Sequence, residues 1–361
     1  MKPIIISLLP LVLACSGIEE TDNYFNFPVQ EISLPESGIV VEPERMSDDF
    51  SSFSGFWVED SLFAGSFFTG SEDVVMAGNV VTSSLYGRFG RQGRGPQDFL
   101  SPVAYELNDG HLLIFDIMTS KVSDLDLKRS IEEGSAVFSG IHELDKGENS
   151  YLPLTAIHRW NDRFLAYDTG NDPMSEDLYS SPDYVLYDLA TGAKLRNYHL
   201  FASIPLSNKK KEENLVKVKA RLALSDCTIN DRTGICFVMK YIPQINYFFP
   251  ETGEVRGFRV TELSDKSLMD GYIHYNSVCS YGNAIYALYS GGQLSALNRG
   301  EALTEELHVF DLSGHIMQRI LLDGVYVDCR ASSEGLFLSR VVDDGADVGL
   351  FRIRWDSLPL D

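Results

Sequence analysis

The sequence predicts an all-β chain: a six-bladed β-propeller with four-stranded antiparallel blades, closed into a ring by an N-terminal strand. Three observations predict this fold. Helical periodicity is nearly absent, short apolar runs alternate with turns rich in Gly, Asn and Asp, and a strand–turn–strand unit recurs about every 60 residues. Repeats of this length are typical of propeller blades, and ring closure leaves only short strand edges exposed.

Four hairpins show the repeated unit most clearly. Each has an apolar strand, a turn that carries Asp or Gly, and a returning strand, and the four cover residues 111–127, 184–198, 245–260 and 307–322. Three of the turns contain a glycine where a positive φ is favoured, namely Gly192, Gly253 and Gly314. We therefore expect a tight reversal of the chain at each of these glycines.

The spacing of the hairpins indicates one blade per repeat. Asp188, Pro250 and Asp311 follow one another at intervals of about 60 residues, whereas the interval from Asp116 to Asp188 is longer and leaves room for the polar segment 168–181. Two more hairpins, at 74–82 and 336–355, complete six units. A strand within 30–41 is expected to close the ring against the last blade. A pair of β-sandwiches is the structural alternative.

The N-terminus has the features of an export signal. Lys2 precedes an apolar run over 4–14, which is too short to span a bilayer. The run ends in Val-Leu-Ala-Cys15 and resembles a bacterial lipobox, which implies cleavage before Cys15 and lipid on its thiol. The alternatives are an ordinary secretory peptide, in which Cys15 is incidental, and a buried hydrophobic strand.

Domain boundaries follow from this N-terminus. We expect a signal peptide over 1–14, an acidic flexible tether over 15–27 and the propeller over 28–361. The tether contains Glu19, Glu20 and Asp22. It resembles the acidic signal that directs some Bacteroidetes lipoproteins to the cell surface, and it also fits a simple polar spacer. The expected location is the outer membrane, on its periplasmic face or at the cell surface.

Charge limits the kinds of partner. The chain has 52 acidic against 30 basic residues and a formal net charge of −22. Because a phosphate backbone requires a basic surface, we expect no nucleic-acid partner. The expected contacts are the membrane, through lipid on Cys15, and a protein, peptide or glycan partner.

Four cysteines follow Cys15 in the sequence. Cys227 and Cys236 flank an Asn-Asp-Arg-Thr-Gly turn and are the candidates for a disulfide across a hairpin, since an exported chain meets an oxidising compartment. The alternative is that all four thiols are small buried hydrophobic groups. No Cys-x-x-Cys spacing supports zinc or thioredoxin chemistry.

A glycine-rich segment connects the first two repeats. It reads Gly-Arg-Phe-Gly-Arg-Gln-Gly-Arg-Gly-Pro-Gln-Asp-Phe over 87–99. Gly90, Gly93 and Gly95 permit tight turns, and Phe99 is placed to pack between blades. The order of the glycines differs from the dinucleotide fingerprint, and no Gly-Lys-Ser/Thr of a P-loop is present.

This segment resembles the Gly-x-x-Gly-x-Gly-Pro-x-Glu-Phe segment after the first blade of TolB-like and NHL-like six-bladed propellers, with Asp98 in place of the usual Glu. Together with the lipobox and the hairpins, it resembles the TolB-like propeller lipoproteins of Bacteroidetes over essentially the whole mature chain. That resemblance implies the fold but no established reaction, ligand or cofactor. Within the segment, Arg88, Arg91 and Arg94 either clamp a carboxylate or phosphate or pair with nearby acidic side chains.

No catalytic pattern stands out. The sequence has no Gly-x-Ser-x-Gly elbow and no His-Glu-x-x-His, and its seven histidines are dispersed, so we assign no catalytic residue, metal ligand or cofactor. Two polar–aromatic clusters are candidates for ligand contact near the starts of inner strands, or else for packing around the channel. They are His158-Arg159-Trp160 and His274-Tyr275.

These observations favour a non-catalytic, lipid-anchored envelope propeller that acts as a binding or scaffold module. The alternative is a propeller hydrolase or lyase with its site in the central channel. A fold alone does not decide between them. Converging His or carboxylate groups in the channel would favour the enzyme, and an aromatic-lined or plugged channel would favour the binding module.

Overall fold

The computed structural model describes residues 25–67, 71–95, 97–147, 152–169, 183–202, 224–229, 232–263, 272–293, 306–342 and 347–358. The predicted signal peptide, Cys15 and most of the acidic tether lie outside these residues. Within them, no helix is both long and apolar enough to cross a membrane.

The chain folds as a six-bladed propeller, as the sequence predicts. The first three blades follow one another along the chain, each with four antiparallel strands ordered outward from the centre. Blade 1 has β4 (Gly55–Glu59), β5 (Leu62–Ser66), β6 (Asp73–Asn79) and β7 (Ser84–Arg91). Blade 2 has β8 (Pro102–Asn108), β9 (His111–Asp116), β10 (Lys121–Asp126) and β11 (Phe138–Glu143). Blade 3 has β12 (Leu154–Trp160), β13 (Arg163–Asp168), β14 (Asp183–Asp188) and β15 (Lys194–Tyr198).

The last three blades use strands from both ends of the chain. Blade 4 has β16 (Leu224–Ile229), β17 (Gly234–Met239), β18 (Gln244–Phe249) and β19 (Glu254–Val260). Blade 5 has β20 (Tyr272–Tyr281), β21 (Ala284–Gln293), β22 (Glu306–Asp311) and β23 (Ile316–Leu322). Blade 6 has β24 (Asp328–Ser332), β25 (Gly335–Val342) and β26 (Asp347–Ile353), and its outer strand is β3 (Glu44–Arg45) from the N-terminal segment.

An N-terminal strand closes the ring, but it lies later than expected. The short strand β3 pairs antiparallel with β26 and completes the last blade. The predicted closing region 30–41 instead contains β1 (Val29–Ile32) and β2 (Ile39–Val41), which add parallel outer strands to blades 4 and 5. The N-terminal segment therefore runs along the outer edges of three successive blades. Such non-local pairing cannot be inferred from local alternation.

The four predicted hairpins all form, and Gly192, Gly253 and Gly314 have φ of 68°, 74° and 90°. The long interval after Asp116 has a different origin from the one inferred. The hairpin at Asp116 joins the second and third strands of blade 2, whereas the other three join the third and fourth strands of their blades. Blade 2 carries α1 (Leu127–Glu133) between its third and fourth strands, capped by Asp126 and Gly134.

The hydrophobic core is divided among the blade interfaces. Six clusters of buried residues are found in the described chain, and each lies between two neighbouring blades. Phe99 is buried between blades 1 and 2, as the sequence predicts. Of the glycines beside it, Gly90 has a positive φ, at 74°. Gly93 lies close to the Asp98 carboxylate, which would be 2.4 Å from an added Cβ.

Candidate functional site

The innermost strands of the blades surround a central channel with a cavity at each end. The larger cavity, about 530 Å³, lies where these strands begin, and the smaller, about 330 Å³, lies where they end. Five side chains line both cavities and form the constriction between them: Trp57, Tyr105, His158, Asp226 and Arg330. They come from five different inner strands, so the fold brings together residues that are far apart in sequence.

His158 is held between carboxylates from the two neighbouring blades. Its Nδ1 lies 3.4 Å from Glu106 Oε1 on β8, and its Nε2 lies 3.2 Å from Asp226 Oδ2 on β16. All three side chains are buried. The Tyr184 hydroxyl also donates to Asp226 Oδ2, at 2.7 Å. We call Glu106, His158 and Asp226 the channel triad.

His158 and Glu106 are both charged at neutral pH. Burial lowers the pKa of His158, but Asp226 and Glu106 outweigh it and raise that pKa to about 10. Burial raises the pKa of Glu106, but His158 and the Arg232 guanidinium lower it to about 2. His158 is therefore an imidazolium with both nitrogens facing carboxylates, which makes it unsuitable as a general base.

Two arginines extend the network. Arg232 Nη2 lies 3.0 Å from Glu106 Oε1 and also donates to the Arg159 carbonyl oxygen. Arg159 Nη2 lies 2.7 Å from Asp124 Oδ2. The predicted ligand contact Arg159 thus has an internal partner on the neighbouring blade, and the network connects blades 2, 3 and 4.

A second charge pair lies across the channel. Arg330 Nη1 lies 2.6 Å from Asp328 Oδ1, and Asp328 also accepts a hydrogen bond from the Ser277 hydroxyl at 2.5 Å. Burial lowers the pKa of Arg330, but Asp328 outweighs it and raises the pKa. The guanidinium lies 5.8 Å from the Trp57 ring centroid. The positive charge of Arg330 is therefore compensated by Asp328 within the protein.

The remaining histidine–aromatic candidates belong to the interior. Trp160 is buried and its Nε1 donates to Glu251 at 3.2 Å. His274 is fully buried beside the rings of Tyr272 and Tyr289. The Tyr275 hydroxyl lies 2.9 Å from His308 Nδ1, in a site closed to solvent. Of the residues in the two predicted polar–aromatic clusters, His158 alone lines the channel cavities.

The arginines of the glycine-rich segment lie away from the channel, on blade 1 and the loop that follows it. All three are exposed. The Arg88 guanidinium lies 4.8 Å from the Phe67 ring centroid, and its Nη1 lies 3.6 Å from Asp73 Oδ2. Arg88 therefore pairs with a nearby acidic side chain, which is the second of the two alternatives predicted for it. Arg94 lines a separate cavity of about 430 Å³ with Asp98 and Lys121, whereas Arg91 is not among its lining residues. The structure does not bring the three together as a clamp.

The cysteine candidates lie opposite each other, as their spacing predicts. Cys227 and Cys236 are cross-strand partners in the β16–β17 ladder. The structure contains both as free thiols. The disulfide between them stays a prediction.

The larger cavity has the features of a binding site. Its wall combines aromatic rings with neutral polar side chains from several blades, and its charged groups are paired. Within the part of the chain that the structure describes, no group of three His, Cys, Asp or Glu side chains converges as metal ligands. Chemically, the cavity can form hydrogen bonds and stacking contacts with a small polar group.

Sequence reasoning identified His158 but missed the other constriction residues. Glu106 and Asp226 are distant from His158 in sequence, so local patterns give no signal for the triad. Trp57, Tyr105 and Arg330 lie on the first strands of their blades, outside the hairpins that the sequence shows, so the sequence contains no signal for them either.

Fold and site together define a six-bladed propeller whose polar channel mouth is suited to binding. No family model matches the sequence, and no curated protein matches it. Solved structures resemble its fold. A DUF4221 family member from Bacteroides vulgatus is 11% identical, with a TM-score of 0.57 over 91% of this chain and 98% of the other. A Bacteroides fragilis protein described as exported is 9% identical, with a TM-score of 0.49 over 91% and 95%. At such identities the likeness concerns the fold alone.

Proposed function

We propose that this chain is a TolB-like propeller lipoprotein of the cell envelope that binds a protein, peptide or glycan without catalysing a reaction. Lipid on Cys15 anchors it to the outer membrane, on the periplasmic face or at the cell surface. The lipobox resemblance and the acidic segment after Cys15 support this placement. The resemblance of the glycine-rich segment supports the TolB-like assignment.

One observation carries the choice of a binding module over a hydrolase or lyase. The imidazole in the channel, His158, is flanked by carboxylates at 3.2 and 3.4 Å and has a pKa raised by them to about 10. An imidazolium in this state cannot accept a proton, and rotating it out would leave the buried Asp226 carboxylate without its counter-charge. The constriction is thus a structural junction, and the open larger cavity is where a partner binds.

Plugging one mouth of the channel tests this proposal. Thr155 is exposed at the larger cavity, and Ser333 is exposed at the smaller one. We expect Thr155→Trp to abolish recovery of the envelope partner by cross-linking and affinity purification, because an indole fills the larger mouth. The matched control Ser333→Trp places the same side chain at the opposite mouth and should leave recovery unchanged.

The measurement is the amount of each cross-linked partner, by quantitative mass spectrometry, normalised to folded propeller. Equal recovery with Thr155→Trp and Ser333→Trp would contradict binding at the larger mouth. Turnover of a glycan or peptide by the wild type, lost in Thr155→Trp, would contradict the non-catalytic assignment and establish the hydrolase or lyase.

The membrane anchor predicts a separate result. A Cys15→Ala chain cannot be acylated at this position, so we expect it to leave the membrane fraction, since acyl chains supply about 0.8 kcal/mol for each buried methylene. Fractionation followed by immunoblotting measures this, with Cys227→Ala as the control that retains Cys15. Membrane retention of Cys15→Ala would refute the lipid anchor.

A further inference from the structure

We propose that the larger channel cavity binds a neutral saccharide, with a sugar ring stacked on Tyr105 and its hydroxyls bound by side chains from three inner strands and from β25. This inference rests on the proposed function and specifies its ligand class. The cavity, at about 530 Å³, lies within the usual range for small-ligand sites.

The charges around the cavity exclude a strongly ionic ligand. Its anionic groups are Asp226 and Asp328, and both are compensated inside the protein. Asp226 pairs with His158 at 3.2 Å, and Asp328 pairs with Arg330 at 2.6 Å. A charged ligand would therefore lose its hydration without gaining an unpaired counter-charge, whereas a neutral ligand avoids that penalty.

Four neutral polar side chains face the same cavity and provide the recognition groups. None of them has a side-chain hydrogen bond to another residue that the structure describes, which leaves them available to a ligand. They are Thr155 on β12, Ser225 on β16, Asn276 on β20 and Ser339 on β25. Each can donate and accept a hydrogen bond, as a sugar hydroxyl can, so they suit a ligand with several hydroxyls on one molecule.

Tyr105 provides an apolar surface beside these groups. Its hydroxyl donates to the Leu154 carbonyl oxygen at 2.7 Å, which fixes the ring across the interface between blades 2 and 3. Tyr105 is partly exposed and lines the cavity. The other aromatic constriction residue, Trp57, has Arg330 beside its ring and donates its Nε1 hydrogen to the Tyr105 carbonyl oxygen. A fixed, partly exposed ring is suited to the apolar C–H face of a pyranose.

The test begins with the folded, delipidated propeller on an array of neutral and acidic oligosaccharides, followed by titration calorimetry with the neutral saccharides that bind. We expect Ser225→Ala and Asn276→Ala each to weaken binding about tenfold, as loss of one ligand hydrogen bond predicts. Tyr105→Leu should weaken it at least as much, whereas Tyr105→Phe keeps the ring and should retain binding. Thermal unfolding verifies that each variant is folded.

The matched control is Thr228→Ala. Thr228 lies on the same strand as Ser225 but lines the smaller cavity, so its removal should leave saccharide binding unchanged. The inference is overturned if no neutral saccharide binds, if only acidic saccharides bind, or if Thr228→Ala weakens binding as much as Ser225→Ala. A protein partner lost from Thr155→Trp, together with a silent array, would overturn the saccharide and leave the proposed binding function standing.

Discussion

A His158→Gln variant is expected to lose about 3–5 kcal/mol of unfolding free energy, because removing one partner of a buried ion pair leaves an uncompensated buried charge. Here the uncompensated charge belongs to Asp226, which is buried against blade 3, whereas Glu106 keeps its ion pair with Arg232. Glutamine is close to histidine in size, so the loss reports the missing charge more than a cavity. Urea denaturation at pH 6 measures it.

The wild type should also show a decline in stability at alkaline pH that the variant lacks. Since the pKa of His158 is raised from 6.5 to about 10, its contribution is complete below pH 6.5 and is lost as the pH rises towards 10. Since the pKa of Glu106 is lowered from 4.5 to about 2, its contribution is complete above pH 4.5 and is lost as the pH falls towards 2. The triad therefore stabilises the fold most between about pH 4.5 and 6.5.

His315→Gln is the matched control for this experiment. His315 also faces a carboxylate, with Nδ1 3.4 Å from Asp311 Oδ2, but its side chain is 71% exposed. Exposed pairs contribute about 0–1 kcal/mol, so this variant should stay close to the wild type. If His158→Gln were equally mild, or if it kept the wild-type decline between pH 6.5 and 10, the charged triad would be wrong.

Local features of the fold could be read from the sequence. Turn chemistry is contained in a few adjacent residues, which is why the hairpins and the positive φ of Gly192, Gly253 and Gly314 were predictable. The outer strands β1 and β2 were not, because their partners lie more than 200 residues away and any apolar edge satisfies the same local pattern. The sequence could predict that an N-terminal strand closes the ring, but not which residues form that strand.

The candidate site was likewise only partly predictable from the sequence. His158 could be predicted as part of a polar–aromatic cluster, but its role depends on Glu106 and Asp226, which two other blades supply. The same holds for the larger cavity, where Ser225 and Asn276 are unremarkable in sequence and become a group only when the ring closes. Exposed residues such as Arg91 were candidates for ligand binding because the sequence shows that a side chain is charged but not where it lies in the fold.

A Gly192→Ala variant is expected to lose about 3–4 kcal/mol of unfolding free energy. Gly192 has φ of 68°, and an added Cβ would lie 1.8 Å from the Glu143 carbonyl oxygen, in the backbone of blade 2. The Gly192 carbonyl also accepts a hydrogen bond from Asp145 N at 2.8 Å, so the turn is fixed against its neighbour. A left-handed conformation in a non-glycine residue costs about 1–3 kcal/mol, and displacing a packed backbone adds to that cost.

Gly253→Ala separates these two causes. Gly253 occupies the equivalent turn of the next blade with φ of 74°, but the nearest atom to its added Cβ is Arg196 Nη2, at 3.5 Å. The backbone cost is therefore shared by the two variants, and the clash with the backbone of the preceding blade belongs to Gly192 alone. We expect Gly253→Ala to lose about 1 kcal/mol in urea denaturation. Equal losses in the two variants would mean that blade 2 accommodates the added methyl group with no loss of unfolding free energy. The tight packing at Gly192 would then not stabilise the interface between blades 2 and 3.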